Sequence, residues 1–396
     1  MLDTKIFGEE LQRLGFSFYS GVPCSFLKSL INYAINHCQY VGAANEGDAV
    51  AIASGARLTG KKSVVLMQNS GLTNAVSPLV SLNHPFQIPV LGFVSLRGEP
   101  GLRDEPQHEL MGRITTDMLD LMQVKWQVLQ TDLQKAKNQL AEADQWIAQN
   151  HSFFFVVKKG TFSEEPLQRQ TASRPFPAKP IKPPASTDQK PSRVEALHVV
   201  HSWKQKQTLL IATTGKTGRE LYEIEDAPNH LYMVGSMGCA GSLGLGLALN
   251  RQDLETVVID GDGALLLRMG SLATNGYYNP SNMLHLLLDN HAHDSTGGQS
   301  TVSPRVDFVE IAASCGYSRS LYIDSLQKLS SALNEWRQRR GLTFLYMKIS
   351  KGSRKQLGRP QVKPHEVKER LQKWLKDLSL DQWRDNRCGG SSETSC

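Results

Sequence analysis

The stretch VVIDGDGALLLRMGSLATNGYYNPSNMLHLLLDNHAHDSTGGQ, residues Val257–Gln299, decides the fold. An apolar run ends in the glycine-punctuated turn IDGDG. A helical pattern follows over Gly270–Tyr277, and a second apolar run, LHLLLDN, ends on Asn290. Continuous apolar runs separated by a helix read as buried parallel strands. Open α/β sheets bind ligands outside the carboxyl ends of such strands. Asp262 and Asn290 would therefore leave adjacent strands at one edge. Gly261 and Gly263 let the backbone approach a phosphate closely, and Gly263 and Ala264 can present N–H donors to it. A carboxylate and an amide oxygen suit Mg²⁺, which takes few protein oxygens beside phosphate oxygens and water. GDG alone is a common turn; the Asn at the end of the second run makes the pattern specific.

The same rhythm extends in both directions. FSFYSGV, QYVGAA, KSVVLMQ, IPVLGFVSL and HSFFFVVKK read as strands before it, with a helix over Asp48–Leu58 between two of them. QTLLIATT, HLYMVGS and LTFLYMKIS read as strands of the second half. Helices are expected over Glu195–Lys204, Gly241–Leu249, Val306–Cys315 and Pro364–Leu378, the last with Val367, Leu371, Trp374 and Leu375 on one face and packed on the second domain. Between the halves, proline recurs from Pro166 to Pro191 among Ser, Gln, Lys and Thr, a composition that builds no core. The expected organisation is α/β: a domain over 1–160, a Pro-rich linker over 161–193, a second domain over 194–380 and a disordered tail over 381–396. Each domain is a parallel sheet flanked by helices.

Composition narrows the function classes. The 396 residues are 40% hydrophobic and 21% charged, as in ordinary globular proteins. No run is apolar enough for a membrane span, and MLDTKIFGEELQRLG has acids where a signal peptide needs a basic start. Cytoplasmic placement is the expectation. The net charge of +6 gathers toward the C-terminus and reads as a solvated surface, with no nucleic-acid-binding module. The six cysteines show no metal spacing. ATTGKTGRE has Leu210 where a phosphate-binding P-loop needs glycine, and Gly241, Gly244 and Gly246 break the dinucleotide fingerprint.

The GDG-to-Asn segment resembles the motif of thiamine-diphosphate (ThDP) enzymes, and further pieces match that superfamily. By the resemblance the metal ligands are Asp262, Asn290 and the backbone carbonyl of Ala292. NEGDAVAIASGARLTGK resembles the family segment holding the activating glutamate, here Glu46. That role needs an acid beside the cofactor's pyrimidine N1′ in a dry site. VGSMGCAGSLGLGLALN resembles the segment shaping the cofactor, with the Gly235 carbonyl facing its 4′-amino group and Met237 beneath it. Thr213, Thr214 and Gly215 open the same edge. GVPCSFLKSL, SLRGEPGLRDEPQHELMGRIT and DNHAHDSTGGQ resemble the phosphonopyruvate decarboxylase family, which lacks the middle domain of larger ThDP decarboxylases. One departure is Leu96, where that family's pattern leads one to expect an aromatic residue.

The resemblance implies two ThDP-binding-type domains and decarboxylation of 3-phosphonopyruvate to phosphonoacetaldehyde and CO₂, a step of phosphonate biosynthesis. Arg97 and Arg103 would hold the dianionic phosphonate, since planar guanidinium groups match such oxyanions. Bracing the loop is their alternative role. Ser25, Ser295 and Thr296 are further substrate contacts. His108 would donate or relay a proton, with His293 a second candidate and Gln299 unassigned. The family's arrangement implies a homodimer or higher homo-oligomer, with Glu46 facing a cofactor held by the partner's second domain. Rival readings are sulfopyruvate decarboxylase, an acetolactate-synthase-like carboligase and a non-catalytic ThDP-binding protein.

Overall fold

The computed structural model describes residues 1–168, 190–354 and 356–388, with 381–388 as backbone only. Most of the expected linker and the end of the expected tail lie outside them. Six parallel strands form the first sheet, in spatial order Gln39–Gly42, Phe16–Gly21, Lys62–Gln68, Leu91–Ser95, Phe153–Val157 and Lys125–Val128. The second sheet runs His230–Tyr232, Thr208–Ala212, Glu255–Gly261, Met283–Asp289, Thr343–Lys348 and Arg319–Ile323. Counted along the chain, both sheets have the order 2-1-3-4-6-5. The order reverses beside each domain's first strand, and the crevice there is where ligands bind in such sheets.

The continuous apolar runs became central strands because both their faces are covered. Phe153–Val157 and Thr208–Ala212 are buried throughout. Two strands are absent from the sequence-based expectation, Lys125–Val128 and Arg319–Ile323. Both are edge strands with partly exposed residues, so neither carries an apolar run.

Two expected boundaries differ. Phe162, inside the expected linker, is buried in the first core. The Leu2 N–H donates to the Thr161 carbonyl at 2.7 Å, and Asn32 Nδ2 donates to the Glu165 carbonyl at 2.7 Å. At the other end Ser192 and Glu195 form a capping box for the Arg193–Trp203 helix. The last helix runs from Pro364 to Cys388, past Leu378 and into the expected tail. It packs on both domains: Val367, Leu371 and Leu375 join the second core, while Lys368 Nζ donates to the Gln87 carbonyl at 3.3 Å.

The domains meet through the Glu46–Leu58 and Ala240–Asn250 helices. Glycine on each side brings their backbones together. A Cβ at Gly55 would lie 2.2 Å from the Leu243 carbonyl oxygen, and one at Gly246 would lie 2.0 Å from that of Ile52. Gly246→Ala should gain about 1 kcal/mol of helix propensity. The clash is with backbone, which cannot swing aside, so a net loss of about 1–3 kcal/mol is expected. Thermal unfolding checks this, and an unchanged or raised Tm would count against the packing described.

Candidate active site

The strands that flank the second domain's reversal point deliver one set of residues. Asp262 opens the Asp262–Leu267 helix directly after the Glu255–Gly261 strand. Gly261 has φ −114°, which any residue adopts, and a Cβ there would meet nothing within 4 Å. Its contribution is open room over the strand end. Gly263 is a different case, since a Cβ would lie 2.5 Å from the His293 ring. Asp262, Gly261, Gly263 and Ala264 share one cleft with Asn290 and Ala292. Thr213, Thr214, Met237, His293 and Ser295 complete much of its wall.

The Asp262 carboxylate is buried, and burial pushes its pKa above the ordinary value. Thr301 Oγ1 donates to its Oδ2 at 2.5 Å. A buried carboxylate satisfied mainly by hydroxyls lacks the countercharge that would stabilise it. A divalent cation supplies that charge. Asn290 Nδ2 donates to Asp294 Oδ2 at 2.6 Å, and its Oδ1 accepts from the Ala292 N–H at 3.1 Å. That oxygen keeps a second lone pair. Carboxylate, amide oxygen and glycine-made room therefore fit a Mg²⁺–diphosphate group.

Some cleft residues were not anticipated. Gly215 has φ +97° and starts the Lys216–Ile224 helix, which places Lys216 and Thr217 in the cleft. The GKT tripeptide is no P-loop, yet its lysine stands at a helix start on the cleft wall. A lysine after a turn glycine at a helix N-terminus is the signal for it. Arg193 also lines the cleft; its Nη2 donates to Asp294 Oδ2 at 2.7 Å, and its Nη1 lies 3.5 Å from Glu220. It follows the Pro-rich stretch, and no local pattern marks it. Thr214 Oγ1 donates to the Val234 carbonyl at 2.8 Å. Gly235 lies against the first domain, where a Cβ would sit 2.6 Å from that of Ser81. Thr296 is outside the cleft wall, bonded to Gln299 and the His293 carbonyl.

A second set stands on the first domain. Glu46 is the first residue of its helix, after the N-cap Asn45. Asn74 Nδ2 donates to Glu46 Oε2 at 2.8 Å. A Cβ at Gly71 would lie 2.1 Å from Glu46 Oε1, so that glycine makes the carboxylate's place. Arg97 grips Asp104 with two donors, Nε at 2.7 Å and Nη2, and donates from Nη1 to Ser25 Oγ at 3.2 Å. Its guanidinium also lies over the Phe26 ring. Arg97's hydrogen bonds hold the Asp104 carboxyl well below the usual carboxylate range. Arg97 therefore braces the loop, whereas Arg103 is exposed and pairs with no acid among the described residues. His108 is buried with an unpartnered Nδ1. Among the described residues, none from the first domain lines the cleft around Asp262.

The chain was compared with known proteins. Residues 4–121 match the N-terminal TPP binding domain of thiamine pyrophosphate enzymes, and residues 213–347 match the C-terminal TPP binding domain. It is 41% identical over 370 residues to a phosphonopyruvate decarboxylase of Streptomyces viridochromogenes, covering 92% of this chain and 93% of that one. A phosphonopyruvate decarboxylase of Streptomyces hygroscopicus is 38% identical over 390 residues, covering 97% and 96%. The fold is similar to the crystal structure of benzoylformate decarboxylase from Polynucleobacter necessarius, with TM-score 0.71, 14% identity, and coverage of 89% of this chain and all of that one.

Proposed function

Starting from a chain that belongs to the phosphonopyruvate decarboxylase family of thiamine pyrophosphate enzymes, we propose that it converts 3-phosphonopyruvate to phosphonoacetaldehyde and CO₂. The observation that carries this reading is an intact Asp262–Asn290 cradle together with a held acid, Glu46, on the other domain. When bound, ThDP supplies a sink for the electron pair left behind by CO₂.

The residues then divide the work. Asp262, Asn290 and the Ala292 carbonyl would hold Mg²⁺, and the Gly263 and Ala264 N–H groups with Lys216 would meet the diphosphate. Glu46 would exchange a proton with the pyrimidine N1′. Arg103 reaches for the phosphonate while Arg97 keeps the loop in shape. Ser25, on the Arg97 side, and Ser295, on the cleft wall, are the serine candidates for contacting the substrate. His108 Nδ1 is the candidate to deliver a proton to the product carbon.

The site is completed by a second copy, making the protein a homodimer or higher homo-oligomer. Support comes from the cleft's lack of first-domain residues and from three exposed apolar residues (58%, 61% and 69%): Val234, whose carbonyl accepts from Thr214, Leu267, the last residue of the helix that Asp262 opens, and Val302, next to Thr301. Among the described residues no helix is long and apolar enough to cross a membrane; cytoplasmic placement is part of this reading.

The test is turnover by the pure protein with ThDP and Mg²⁺, measuring aldehyde from 3-phosphonopyruvate and from 3-sulfopyruvate in parallel. Faster turnover of phosphonopyruvate is expected. Faster turnover of sulfopyruvate, or condensation products in place of aldehyde, overturns the assignment. A finer test concerns Asp294, which orients Asn290 and accepts from Arg193. Asp294→Ala should weaken Mg²⁺-dependent ThDP binding by about 10–100-fold, the usual effect of losing a group that orients a metal ligand. Calorimetric titration reads it, and unchanged affinity would remove Asp294 from the account.

A further inference from the structure

Arg268 follows the helix that Asp262 opens and turns back toward the first domain. Its guanidinium donates from Nη1 to Asn45 Oδ1 at 2.6 Å and from Nη2 to the Asn74 carbonyl at 3.3 Å. These are the two residues that hold Glu46. Asn45 caps the helix on which Glu46 is the first residue, and the Asn74 side chain donates to the Glu46 carboxylate at 2.8 Å.

The place for this arginine is made by two glycines. A Cβ at Gly47 would lie 2.3 Å from Nη1, and one at Gly238, where φ is +89°, would lie 3.1 Å from Arg268 Cγ. The head passes over one glycine and the stem over the other. Two nitrogens of one planar guanidinium reach the two acceptors in a fixed geometry, whereas an ammonium offers a single nitrogen on a flexible stem.

We propose that Arg268 is the positioning residue for Glu46: it fixes the cap and the amide that aim the acid. This rests on the reading of Glu46 as the acid facing the cofactor pyrimidine. A plain structural role would instead be to neutralise Asp48, a buried carboxylate 3.7 Å from Nη1. The two roles separate, since Asp48→Asn removes the charge and leaves the fork's bonds to Asn45 and Asn74.

The experiment compares Arg268→Ala/Asp48→Asn with Asp48→Asn alone, as full-length protein with ThDP and Mg²⁺. Three quantities are read: hydrogen–deuterium exchange at C2 of bound ThDP, ThDP affinity, and kcat and KM separately. A misplacement of about 1 Å costs about a hundredfold. Exchange and kcat should therefore fall together by about 10–100-fold in the double variant, with ThDP affinity and KM close to those of Asp48→Asn. Added guanidinium should restore part of the exchange. Exchange at the Asp48→Asn rate in a double variant that binds ThDP overturns the proposal.

Arg268→Met/Asp48→Asn keeps the stem and removes every donor of the head, and it serves if the alanine double variant does not fold; full exchange there has the same meaning. Glu46→Gln in the same assay separates the layers. Loss of exchange in Glu46→Gln without loss in the Arg268 variants defeats this proposal alone. Full exchange in Glu46→Gln defeats the acid reading and this proposal with it.

Discussion

Glu46→Gln is expected to lower kcat by about 10²–10⁴-fold, the range set by losing a positioned proton-transfer group, while ThDP binding stays close to wild type. Glutamine preserves the size of the side chain, and its amide can still meet Asn74, so the Gly71-made place remains filled. What it cannot do is exchange a proton with a ring nitrogen. The expected signature is a loss in kcat with little change in ThDP affinity, separating chemistry from binding. Steady-state kinetics with a parallel binding titration reads both. Undiminished turnover would leave Glu46 as nothing more than an acid favoured at a helix N-terminus.

Asp262→Asn should act in the opposite sense, removing binding. The carboxylate is the charged protein ligand proposed for the metal, and removing one partner of a buried charge pair costs about 3–5 kcal/mol. Mg²⁺-dependent ThDP affinity is expected to fall by about a hundredfold or more at that cost. The free protein should respond differently. Burial raises the Asp262 pKa above its unfolded value, so the folded state keeps a proton that the unfolded chain releases. Between those two values stability falls as pH rises, and the whole penalty stands above the folded value. Without cofactor, Asp262→Asn should melt at or above the wild-type temperature at pH 7 and show a flatter pH dependence. With Mg²⁺ and ThDP the wild type should overtake it. A variant that binds ThDP normally contradicts the metal assignment.

How far these residues could be read from the chain depends on what each one depends on. Asp262 and Asn290 were legible because both strands before them are buried on both faces and therefore continuously apolar. Lys125–Val128 and Arg319–Ile323 were not, because an edge strand keeps exposed residues and resembles a loop. Phe162 looked like linker because prolines surround it, whereas its ring is buried in the first core. Glu46 carries no local mark beyond a helix-start acid; only the resemblance of the surrounding segment singled it out. Arg193 and Arg268 were illegible for a tertiary reason, since their partners lie 101 and 223 residues away in the chain. Arg97 offered two roles, and its two-donor grip on Asp104 favours the brace.

The central claim is that Glu46 of one protomer and Asp262 of another make one working site. Co-expressing Glu46→Gln and Asp262→Asn chains with different tags tests it directly. In a mixed dimer one site carries both substitutions and the other carries neither. Random pairing of two inactive chains should then restore about a quarter of wild-type activity, and dimers purified through both tags should have about half. If each site were built within one chain, every mixed dimer would be as inactive as its parents, and the absence of recovery would contradict the account.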